Sequence, residues 1–186
     1  MSQTKKLTAL AMCLALGIVL PVAIRTIPRG GILFSPMHIS PLLAGLVIGP
    51  VEGAIVGVLC PILNSVLSGM PQGNTLIGMC FELPVYGIVA GCMMRMVHTK
   101  KYMTEIYISL IVSMVAGRIV GGMVQGFLLG LGNYSLQFWV TSYFISTFPG
   151  IILHLLLIPA VCMALKKAGF RNHKMHCCKD VESLRI

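Results

Sequence analysis

Charge is scarce in this sequence. Asp and Glu together number five in 186 residues, Lys and Arg fourteen, and charged residues make up 10% of the chain. Soluble domains carry about a quarter, so a water-exposed globule is excluded and most of the chain belongs in lipid. Other absences narrow the function. There is no phosphate-binding glycine-lysine loop, no His-Glu-x-x-His pair and no Gly-x-Ser-x-Gly elbow, and no half-to-half repeat. The seven cysteines have no framework spacing: Cys13, Cys60, Cys80, Cys92 and Cys162 stand singly in apolar segments as small hydrophobes. No disulfide, metal or cofactor is implied. His173, His176, Cys177 and Cys178 form one compact group, interleaved by Lys174, with no second cluster to complete a metal site.

What is present is apolar. Hydrophobic residues make up 56% and the mean hydropathy is +0.90, enough for about six membrane spans and little else. The net charge of +9 does not point to nucleic acid, because of where it lies. Lys5 and Lys6, then Arg95, Lys100 and Lys101, then Lys166, Lys167 and the tail fall on one side of an even-numbered bundle. The other side carries only Arg25 and Arg29. That asymmetry is the positive-inside pattern and predicts both termini in the cytoplasm. The expected architecture is an all-α bundle of six transmembrane helices over residues 1–167, with a basic tail at 168–186. The apolar N-terminus lacks a convincing signal-peptide cleavage site and reads as a retained span.

The chain is organised around Phe34 to Pro71. A short helix from about Met37 to Gly49 turns at Gly49-Pro50 into a second helix from about Val51 to Ser68. About thirteen residues make roughly 20 Å of helix, short of a hydrocarbon core of about 30 Å. Such an arm needs protein or a wet cavity at its outer end, which places a cavity beside Pro36, Met37 and His38. Other helices are expected at about 4–24, 75–96, 104–130 and 138–167, the last kinked at Pro149.

Several polar residues fall inside these spans. Glu82 is the sharpest: an ionisable group about 10 Å below the outer boundary should face a cavity or a partner, an arginine being one choice. Arg118 falls roughly 8 Å deeper. Asn64 suits either a helix-to-helix hydrogen bond or a ligand contact. Gln125 is level with Glu82 and Asn64, while Tyr86 is within the Glu82 helix. Trp139 and Tyr143 form an interface belt or, with Asn133 and Tyr134, wall a pocket. His154 reads as a deeper, structural histidine. Glu52 suits the positive end of its helix. The outer loop with Arg29 and Phe34 is either a lid or an interfacial anchor.

Three strings carry a family resemblance: Ala11-x-x-x-Ala15; PMHISPLLAGLVIGP followed by EGAIVGVLCPILN, from Pro36 to Asn64; and PGIILHLLLIP, from Pro149 to Pro159. Over about residues 4–167 the chain resembles the substrate-binding S component of energy-coupling factor (ECF) transporters of bacteria and archaea. The resemblance implies a multi-pass plasma-membrane protein, not an enzyme, that binds a water-soluble vitamin or related micronutrient near the extracellular side. It implies a transmembrane T component and two cytoplasmic ATPases as partners. It points to Asn64, Glu82, Tyr86, Gln125, Asn133, Trp139 and Tyr143 as substrate contacts, to a lid around Arg29–His38 and to Ala11 and Ala15 as the docking face, with Gly17 an alternative docking position. On the residues alone, a stand-alone secondary transporter or channel remains the alternative, and a small intramembrane enzyme using Glu82, Arg118 and His154 a remoter one. The ligand class is open: Arg25, Arg29 and Arg118 suit a carboxylate, Glu82 an amine or ring N–H donor.

Overall fold

The structure is a computed structural model and describes residues 3–24, 35–97, 99, 102–129, 141 and 147–167. Arg29, Phe34, Asn133, Trp139, Tyr143 and the tail lie outside the described residues. Six α-helices and no strand are found among the described residues. They are α1 (Gln3–Ile24), α2 (Ile39–Val47), α3 (Pro50–Ser68), α4 (Gly73–Met96), α5 (Tyr102–Leu129) and α6 (Phe148–Lys167), with a 3-10 turn at Pro36–His38 leading into α2. All but α2 are long and apolar enough to cross a membrane.

Local chemistry sets the boundaries. Gly49, at φ 154°, makes the turn into α3, and Pro50 opens that helix, where its fixed φ and missing N–H are no handicap. Gly69, left-handed at φ 68°, closes it, and its N–H donates to the Ser65 carbonyl at 3.0 Å.

The short α2 is the core of the bundle. Every residue from Ile39 to Val47 is buried, against α1, α3, α4 and α6, as an all-round apolar helix requires. Glycines bring its neighbours to backbone contact. A Cβ on Gly87 of α4 would lie 2.3 Å from the Gly53 carbonyl carbon of α3, and one on Gly45 of α2 would lie 2.3 Å from the Gly87 oxygen. At roughly 1.5 Å per residue, α2 is too short to reach both boundaries. Its first turn, with His38, therefore starts inside the bundle.

Two expectations are corrected. The last helix is described from Phe148, not from about residue 138, and Pro149 is its second residue, where a missing N–H breaks no helical bond. Pro149 thus begins the helix instead of kinking it. His154 consequently lies two turns into α6, beside His38, and not far toward the basic end.

At that basic end, Lys6 of α1 forms an ion pair with Glu52 in the first turn of α3. The Arg95 guanidinium of α4 lies beside Gly49 at the same end. The chain thus enters α1 and leaves α6 at one end of the bundle, while His38 and the starts of α4 and α6 belong to the other half.

Candidate functional site

Four side chains from three elements meet in the interior. Ser35, left-handed at φ 41°, aims its carbonyl at His38, which donates its backbone N–H at 3.1 Å and places Nδ1 3.2 Å from the same oxygen. The other ring nitrogen, Nε2, stands 3.5 Å from Oε1 of Glu82 on α4. Tyr86, one turn further along α4, donates its hydroxyl to the same Oε1 at 2.8 Å. The Tyr86 ring meets His38 edge-on at 5.0 Å between centroids, and the His154 ring of α6 lies 6.3 Å from that of His38.

Bare backbone on α5 makes the room. A Cβ on Gly121 would lie 2.6 Å from the Glu82 carboxyl carbon and Oε2, and one on Gly117 would lie 2.6 Å from the Tyr86 ring. Glu82 is 5% exposed and Tyr86 and His154 1% each, so the carboxylate is compensated by imidazole and phenol instead of water. Among the described residues, the basic side chain facing it is His38 and not an arginine.

Arg118 serves another junction. Its Nη1 donates to the Thr147 hydroxyl at 2.7 Å, tying α5 to the start of α6. With Gly121 against Glu82 and Gly117 against Tyr86, Arg118 sits only about 4–5 Å below Glu82 along the helix, closer in depth than residue counting suggests.

The other sequence candidates are spread. The Asn64 amide donates to the Gly17 and Cys60 carbonyls, both at 2.9 Å, and so faces α1. It continues a polar seam in which the Ser40 hydroxyl donates to the Cys13 carbonyl and the Cys60 thiol to the Ser40 hydroxyl at 3.5 Å. Gln125 lies over Gly78 and donates to the Asn74 carbonyl at 3.4 Å, at the start of α4. Of the expected contacts, the structure brings together His38, Glu82 and Tyr86. It adds His154, whose signal was hidden by the misplaced start of its helix.

On α1, Ala9, Cys13 and Gly17 are buried while Ala11 and Ala15 are exposed. A Cβ on Gly17 would lie 2.3 Å from the Cys60 sulfur, so Gly17 belongs to the bundle interior and Ala11 and Ala15 to the outer face. Among the described residues no three His, Cys, Asp or Glu side chains are placed to hold a metal ion.

Carboxylate, imidazole and phenol together offer both donors and acceptors to a polar solute within an apolar bundle. No curated protein and no solved structure matches the chain significantly. A family model described as "ECF transporter, substrate-specific component" matches residues 5–164. The chain therefore belongs to the family of substrate-specific components of ECF transporters.

Proposed function

We propose that this substrate-specific transporter component captures a water-soluble vitamin or related micronutrient at the extracellular face. Import is then driven by a transmembrane T component and two cytoplasmic ATPases, and the chain itself transforms no substrate. The observation that carries this reading is the convergence of His38, Glu82, Tyr86 and His154 inside the bundle. Maintaining ionisable groups in lipid is costly unless they serve a solute or a partner.

Orientation follows from charge. Lys6, Arg95 and Lys167 occur at the ends of α1, α4 and α6 that lie together, and a cytoplasmic position for that end satisfies the positive-inside bias. The polar cluster then lies toward the outer half, opposite the ATPases. Ala11 and Ala15 supply a small-residue face on which the T component packs closely.

The test is ligand-dependent stabilisation of the purified chain across a panel of vitamins, nucleobases and their precursors. A cognate solute at a hundred times its Kd stabilises by about 2.7 kcal/mol. Vesicles holding this chain alone should accumulate nothing. Silence across the whole panel, or uptake without partners and ATP, would refute capture for an ECF module.

A further inference from the structure

We propose that the solute is a planar heteroaromatic compound presenting a cationic nitrogen or an N–H donor to Glu82, rather than a carboxylate. This rests on the capture reading above and specifies its substrate class.

The first ground is the use of the two carboxylate oxygens. His38 and Tyr86 both address Oε1, while Oε2 lies beside Gly121 and has no hydrogen-bond partner among the described residues. A carboxylate accepts about four hydrogen bonds over its two oxygens. Glu82, 5% exposed, thus retains acceptor capacity where water is scarce, and an N–H or ammonium group supplies what that oxygen lacks.

The second ground is His38. Its two ring nitrogens are both engaged within the protein, Nδ1 beside Ser35 O at 3.2 Å and Nε2 beside Glu82 Oε1 at 3.5 Å, which leaves no ring N–H of His38 turned toward a ligand carboxylate. The group left to meet a solute is therefore Glu82, an acceptor. A ligand carboxylate there would meet a like charge in a medium of low dielectric.

The third ground is the surrounding aromatic surface. The His38 ring lies 5.0 Å from that of Tyr86 and 6.3 Å from that of His154, a set of rings suited to the face or edge of a flat heterocycle and, at Tyr86, to a cation.

The experiment compares two probe sets on the full chain in detergent by thermal shift and titration calorimetry. One set is thiamine, pyridoxamine, cytosine and adenine; the other is pantothenate, biotin and nicotinate. The expected result is stabilisation by a member of the first set only, with binding weakened roughly 10- to 100-fold in Glu82→Gln and less in Glu82→Asp, which keeps the charge. Stabilisation by the carboxylates alone overturns this inference and leaves capture standing. So does a nitrogen base bound equally by folded Glu82→Gln. Should Glu82→Gln not fold, the comparison of the two sets on the native chain still decides. No stabilisation by either set overturns this inference and counts against the capture reading beneath it.

Discussion

A charged or amide side chain inside lipid has to find its partner within the protein, and here two neighbouring seams do so differently. Glu82 is held by His38 and Tyr86 at the junction of the 3-10 turn and α4. Asn64 bonds its amide nitrogen to backbone on α1 and on its own helix. Replacing Asn64 with leucine should therefore lower stability by about 0.6–2 kcal/mol and leave ligand affinity within about twofold, as read by chemical denaturation and by calorimetry. A large loss of affinity without loss of stability would return Asn64 to the ligand. Both residues stood out in the sequence because each is a lone polar group in an apolar run. Their partners did not, because Gly17 and His38 are more than forty residues distant from them and nothing local encodes the pairing.

At the scale of helices, glycine is the sequence's packing device. Gly45, Gly53 and Gly87 let α2, α3 and α4 approach to backbone contact, and Gly57 and Gly91 continue the contact toward Pro84 and Pro50. Gly87→Ala should destabilise the bundle by about 1–3 kcal/mol, since the added methyl meets backbone that has little freedom to yield; an unfolding titration in mixed micelles measures it. Unchanged stability would mean that α3 and α4 separate easily. Most helix boundaries were legible, since Gly49-Pro50 and Gly69 are punctuation with a local mechanism. The start of α6 was not. The stretch from Phe138 to Thr147 carries no glycine or proline to mark a boundary, and Pro149 suits a first turn as well as a kink. His154 was misplaced in depth for that reason alone.

For the whole molecule, α1 is the edge. It packs on α2, α3 and the 3-10 turn and is the least buried of the five candidate spans, so Ala11 and Ala15 face outward. Ala15→Phe should leave the fold and solute binding intact and reduce co-purification with the T component and ATPases at least tenfold, by blocking close helix approach. Co-purification at the native level would show that another face docks.

Composition and charge placement were sufficient for a membrane bundle of about six helices with its basic ends together, because the cost of burying charge in lipid acts on each segment separately. The short second helix followed in the same way from its length and its Gly-Pro turn. Which polar residues meet did not follow. Depth along a helix can be counted from the sequence, but the direction a side chain faces depends on how neighbouring helices rotate against each other, and that rotation is set by long-range glycine contacts. Hence His38, Glu82, Tyr86 and His154 meet, while Asn64 and Gln125 face other partners.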